Sequence, residues 1–123
     1  MAERTLRSCR ILVVEDDYLL ADDLRRELDE AGAIVLGPVG TVEDALKAID
    51  TEPRIDGALL DVNLGGELAF PAGDLLVQRR VPFAFTTGYD DDVIPSRFAN
   101  VPVCQKPVSL IKVVSAIGRA LEK

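Results

Sequence analysis

Apolar residues fall into five short runs, separated by stretches with a helical period. The first run, Ile11-Leu12-Val13-Val14, is branched and unbroken. It predicts a strand buried on both faces. Leu20, Leu24 and Leu28 follow, with Arg25, Arg26 and Glu27 between them. That spacing predicts an amphipathic helix, ended by Gly32. Residues 33–36 predict a second strand, closed by Gly37-Pro38. Thr41 offers a helix N-cap with Asp44 behind it, and Ala45, Leu46 and Ile49 supply the apolar stripe. Residues 57–60 predict a third strand, ending at Asp61.

Residues 62–73 contain Gly65, Gly66, Pro71 and Gly73, and read as a loop or weak helix start. A helix is expected over 74–79, a fourth strand over 82–86 and a short fifth over 102–104. The acidic stretch between the last two reads as loop or short helix. Ser109 caps a final helix with Leu110, Val114, Ile117 and Leu121 on one face. Strand and helix alternate five times. Such alternation implies an α/β fold: a doubly wound parallel sheet with helices on both faces and right-handed crossovers.

Composition narrows the function. A chain of 123 residues fits one domain. Hydrophobic residues at 48% and charged residues at 28% mark it as globular. The net charge of −7 argues against nucleic-acid binding and against docking on an anionic membrane surface. The apolar run behind the arginine-bearing start is too short for a signal-peptide core, and none approaches the roughly 20 residues of a membrane span. A cytoplasmic location is expected. Cys9 and Cys104 match no metal or redox spacing and read as reduced thiols. The absence of histidine removes histidine-based catalysis and most zinc sites.

In an open parallel sheet, ligands bind beyond the carboxyl ends of the strands. Those ends carry Glu15-Asp16-Asp17, Asp61, and Thr86-Thr87-Gly88, and the fifth strand is followed by Lys106-Pro107. Crowded carboxylates resist ionisation unless a cation relieves them. Mg²⁺ suits one or two carboxylates with water and phosphate oxygens. Asp16 and Asp61 are the expected direct ligands; the backbone carbonyl of Asn63 can join them, and Glu15 can act through water. A carboxylate can also accept a phosphoryl group. Mg²⁺, Lys106 and a hydroxyl of Thr86 or Thr87 can neutralise that group in transfer. Pro107 sharpens the turn beside Lys106, and a cis peptide is possible there.

Four segments in this order, ILVVEDD (11–17), LLDVNL (59–64), FAFTTGY (83–89) and QKP (105–107), resemble the receiver domain of two-component response regulators. The resemblance spans almost the whole chain. It implies a flavodoxin-like sheet with strand order 2-1-3-4-5. It implies that Asp61 is the phosphoacceptor, that Glu15 and Asp16 hold Mg²⁺, and that Thr87 and Lys106 contact the phosphate. The donor it implies is a sensor histidine kinase or a phosphotransfer protein. FxTGY and VxQKP further resemble short receivers linked to HWE/HisKA2 kinases. Such a domain is not an enzyme with a separate substrate; it catalyses only its own phosphorylation and dephosphorylation.

The expected layout is an N-terminal extension over 1–9, a receiver domain over 10–123 and no effector domain. Output is then by a changed protein-binding surface, through Ile94, Phe98 and the last helix, or by phosphorelay. The downstream protein is unknown, and a monomer or weak dimer is expected. The chain departs from the family at Val103, where an aromatic switch residue is usual. Tyr89 is the substitute expected to close over the site; with Asn63 it flanks the line of water attack and is expected to slow self-hydrolysis. Three rival readings share parts of this pattern. A dehalogenase-type phosphatase needs an acid where Asn63 stands. A flavin carrier needs a hydroxyl-rich loop where three acids stand. A non-phosphorylated interaction domain on the same fold is the main alternative.

Overall fold

The computed structural model describes residues 6–88 and 94–121, the side chains of 119–121 excepted. The first apolar run forms β1 (Arg10–Val14), followed by α1 (Tyr18–Glu30). Asp17 caps α1, its Oδ1 accepting the N–H groups of Leu19 and Leu20 at 3.0 and 3.1 Å. These are donors that a helix start leaves without partners. Gly32, at φ +88°, turns the chain out of the helix. β2 (Ile34–Val39), α2 (Val42–Thr51) and β3 (Gly57–Asp61) follow. The Thr41 hydroxyl accepts the Asp44 N–H at 3.0 Å, the expected cap of α2.

β2 does not stop at Gly37-Pro38, as the sequence suggested. It runs to Val39, and its register against β1 shifts between Leu12 and Val14. β2 is an edge strand, where a residue lacking an N–H is tolerated. The Gly37–Pro38 peptide is cis, as is Lys106–Pro107.

Residues 62–73 also depart from expectation. They form a hairpin of β4 (Asn63–Leu64) and β5 (Glu67–Leu68), then the start of α3 (Phe70–Gln78). Pro71 lies in the first helical turn, where no N–H is needed. Gly73 lies inside α3 because an aromatic ring presses on it: a Cβ there would sit 3.1 Å from Cζ of Phe98. β6 (Phe83–Thr87), a 3-10 turn (Ser96–Phe98), β7 (Val103–Gln105) and α4 (Leu110–Leu121) complete the chain.

The five long-range strands form one parallel sheet in the order β2-β1-β3-β6-β7. This is the expected 2-1-3-4-5 arrangement, with the hairpin arms taking two numbers. Successive residues of a strand face opposite sides, which explains the unbroken apolar runs. Leu12, Val14, Ala58, Leu60, Phe83 and Phe85 pack under α2 and α3. Ile11, Val13, Leu59 and Ala84 pack under α1 and α4. Leu6, within the stretch expected as an extension, is buried in this second layer. Among the described residues no helix is long and apolar enough to cross a membrane.

All four phenylalanines meet in the first layer. Phe98 lies 5.2 Å from Phe85 and 5.8 Å from Phe70, centroid to centroid. It is therefore core, and the expectation that it contacts a partner is corrected. Ile94 is partly buried against the same cluster. A ring of this size gains more from filling the sheet–helix gap than from waiting on the surface.

Asp56 holds the start of the sheet. Its carboxylate accepts the Arg10 N–H at 2.8 Å and the Arg54 guanidinium at 3.0 and 3.2 Å. Burial pushes its carboxyl up, but these partners outweigh burial and leave it below its usual range. A depressed carboxyl contributes stability above its unfolded pKa and loses it as pH falls through the folded one. Asp56→Ala is thus expected to cost about 1–2 kcal/mol in urea unfolding at pH 7. The difference from wild type should shrink toward pH 3; a constant difference would refute this role.

Candidate functional site

The ends of four strands meet at the carboxyl side of the sheet. β1 ends at Val14, so Glu15 and Asp16 stand just past it. β3 ends on Asp61 itself, between β1 and β6. β6 ends on Thr87, paired with Gln105 on β7, and Lys106 follows. The Lys106 N–H donates to the Thr87 carbonyl at 2.8 Å, continuing the ladder past the last strand residue. Sheet register alone therefore brings these groups into one cleft of about 640 Å³.

Among the described residues lining the cleft, Lys106 is the cation. Its Nζ lies 2.8 Å from Asp61 Oδ2 and 2.9 Å from Glu15 Oε1. Both carboxylates are buried, at 4% and 2% side-chain exposure. Asp61 Oδ1 accepts the Asn63 N–H at 3.2 Å, and Glu15 Oε2 accepts the Asp17 N–H at 2.9 Å. Burial pushes the Glu15 carboxyl above its ordinary value, although the Asp17 N–H and Lys106 pull the other way. Burial pulls the Lys106 ammonium down, but the bonds to Asp61 and Glu15 outweigh it and hold it above its usual value.

Asp16 is exposed at the mouth of the cleft. One carboxylate oxygen each from Glu15, Asp16 and Asp61 lies within 4.8 Å of the others. Like charges about 4 Å apart repel by roughly 4 kcal/mol at an effective dielectric of 20. Lys106 offsets part of this for Glu15 and Asp61. The remaining surplus of negative charge and the all-oxygen donor set fit a hard divalent cation.

Of the two threonines left open by the sequence, Thr87 lines the cleft. Thr86 is buried within the sheet, its carbonyl accepting the Val62 N–H at 3.0 Å. Pro107 follows the cis bond at Lys106, outside the sheet. Val103 does not line the cleft. It pairs with Phe85 on β6 and packs partly buried against the aromatic cluster. Tyr89, and the acidic run Asp90-Asp91-Asp92 after it, lie outside the described residues.

The sequence reading missed the hairpin, whose Gly65 and Leu68 line one side of the cleft. A signal was present. Gly65-Gly66 stands between Leu64 and Glu67, and both glycines have positive φ, +62° and +97°. A two-residue Gly-Gly loop between pairing positions is a hairpin signature.

The fold recurs widely among solved structures. SdrG from Sphingomonas melonis Fr1 is 40% identical, over 98% of this chain and 98% of that one, with a TM-score of 0.79. The BeF3-activated conformation of SdrG from Pseudomonas melonis Fr1 is 42% identical, over 91% and 94%, with a TM-score of 0.73. The PhyR response regulator REC domain of Erythrobacter litoralis is 27% identical, over 94% and 91%, with a TM-score of 0.74. No protein-family model matches the sequence, and no curated protein matches it.

Proposed function

This chain belongs to the response regulator receiver domains, and from that premise we propose that Asp61 accepts a phosphoryl group, with Mg²⁺, from a sensor histidine kinase or phosphotransfer protein. The observation that carries this reading is the pairing of buried Asp61 with Lys106 at 2.8 Å, beside Glu15 and Asp16. In the transfer, an Asp61 carboxylate oxygen bonds to phosphorus as the donor's P–N bond breaks, and the imidazole nitrogen keeps the electron pair. Lys106 is placed to neutralise one phosphoryl oxygen. Thr87, which lines the cleft, would donate to another. Glu15, Asp16 and Asp61, with the Asn63 carbonyl, are the residues to hold Mg²⁺. When bound, the ion supplies charge neutralisation. The reading takes the receiver domain as residues 10–123, acting in the cytoplasm.

Output follows from the same place. Phosphorylation shifts a conformational equilibrium only through contacts that differ between the two states. The segment after Thr87 is the one to carry that difference to a downstream protein.

The test uses acetyl phosphate and Mg²⁺, read by intact mass. The expected result is a gain of one phosphoryl group, absent in Asp61→Asn and absent with a chelator. Since SdrG is described in a BeF3-activated conformation, beryllofluoride is a second arm. It is expected to shift the amide resonances of Thr87 and Lys106. No mass gain and no shift, with a kinase active on related receivers also failing, would sink the reading.

A further inference from the structure

The hairpin beside the cleft is held by few contacts. Its first arm is anchored: Leu64 is buried in the core, and Val62 is fixed on both sides, its N–H donating to the Thr86 carbonyl and its carbonyl accepting the Ala69 N–H. Its second arm is not. Glu67 and Leu68 are both exposed, Leu68 at 44%. A pairing of two residues per strand is marginal in water. Besides the β4–β5 pairing, a side-chain bond spans the loop: the Asn63 Oδ1 accepts the Gly66 N–H at 2.7 Å. The backbone N–H of the same asparagine donates to Asp61 Oδ1 at 3.2 Å.

We propose that the Asn63 side chain is a positioning residue for the phosphoacceptor: by closing the Gly65-Gly66 turn onto itself, it holds its own backbone N–H on the Asp61 carboxylate. The inference rests on the reading of Asp61 as phosphoacceptor. It gives the Asn63 amide a task distinct from steering an attacking water, since its oxygen is committed to Gly66. If the loop opens, the peptide of residue 63 keeps its anchored neighbours, Val62 and Leu64, but loses the bond that fixes its tilt between them, and the N–H on the Asp61 oxygen, already at 3.2 Å, is weakened. The carbonyl expected to face Mg²⁺ sits on the same residue and is misplaced with it.

The geometry supplies a compensating substitution. Gly65 and Gly66 both have positive φ, the backbone of a type I′ turn, for which Asn-Gly is the preferred pair. Gly65 at φ +62° lies where asparagine is tolerated. A Cβ there meets only Asp16 Oδ2, at an ordinary 3.7 Å. Gly65→Asn therefore strengthens the turn without the Asn63 side chain.

The experiment compares wild type, Asn63→Ala, Gly65→Asn and the double variant. Amide hydrogen exchange at residues 63 and 66 is read in the metal-free protein, and the rate of phosphorylation by acetyl phosphate is read with Mg²⁺. Asn63→Ala is expected to speed exchange at both amides and slow phosphorylation, each about 2- to 12-fold, the range of one hydrogen bond. The double variant is expected to recover both. Unchanged exchange in Asn63→Ala overturns the proposal. So does recovered exchange without recovered phosphorylation, which would place the Asn63 amide in the chemistry itself. A wild-type protein that takes no phosphoryl group overturns the phosphoacceptor reading and the catalytic half of this inference, while the exchange arm still judges whether Asn63 closes the hairpin.

Discussion

Lys106→Ala is expected to slow phosphorylation by acetyl phosphate about a hundredfold, the usual loss when one transition-state charge donor is removed. It should also change how stability depends on pH. In the wild type, Lys106 faces two buried carboxylates within 3 Å. Its raised pKa contributes stability that is complete below the unfolded lysine value and is lost only as pH rises through the folded one. Without it, Glu15 and Asp61 face each other uncompensated. Breaking a buried ion pair costs about 3–5 kcal/mol; the low end is expected because the cleft is open to water. Burial, which already raises the Glu15 carboxyl, then acts without Lys106 to oppose it, so protonating Glu15 relieves the cleft: the deficit should shrink as pH falls from 8 to 5. Mg²⁺ should narrow it at pH 8, and so should a second change, Asp61→Asn. A deficit independent of pH, Mg²⁺ and Asp61 would show that Lys106 acts only as a surface side chain.

The second large effect is expected at Phe98. This ring seats the described stretch 94–98 on the core. Arg97 adds a paired contact to α3, its Nε and Nη2 donating to Asp74 at 2.9 and 3.0 Å. Phe98→Ala empties the space among Phe70, Phe83, Phe85 and Gly73, and is expected to cost about 3–5 kcal/mol in urea unfolding. Gly73→Ala tests the same contact from the other side. In the wild type it forces Phe98 to move and is expected to cost about 1–3 kcal/mol. In a Phe98→Leu background the alanine should be neutral or stabilising, since glycine inside a helix costs about 1 kcal/mol against alanine. Additive costs in the double variant would refute the contact.

Much of this was legible because the sheet is parallel and central. A strand buried on both faces must be an apolar run, so β1 and β3 announced themselves through Ile11 to Val14 and Ala58 to Leu60. Their ends then located Glu15, Asp16 and Asp61 without further information. α1, α2 and α4 carried their period and their stop or start residues in Gly32, Thr41 and Ser109. What was hidden depended on tertiary position. Pro38 ends a strand by local rules, and only the place of β2 at the sheet edge lets it continue. Gly73 reads as a helix breaker, and only Phe98, distant in sequence, explains it. Residue chemistry alone could not tell Thr86 from Thr87; both lie in the β6–β7 ladder, and Thr87, which the family resemblance names, is the one that lines the cleft.

The edge strands have a consequence for self-association. An open sheet border is a template on which another chain can grow, and that growth is the first step of fibre formation. Here one border is β2, kinked by its register shift and missing a donor at Pro38. The other is β7, only three residues long. Neither offers a flat run of free peptide groups. Two copies of the domain are therefore poorly placed to pair through the borders of their sheets.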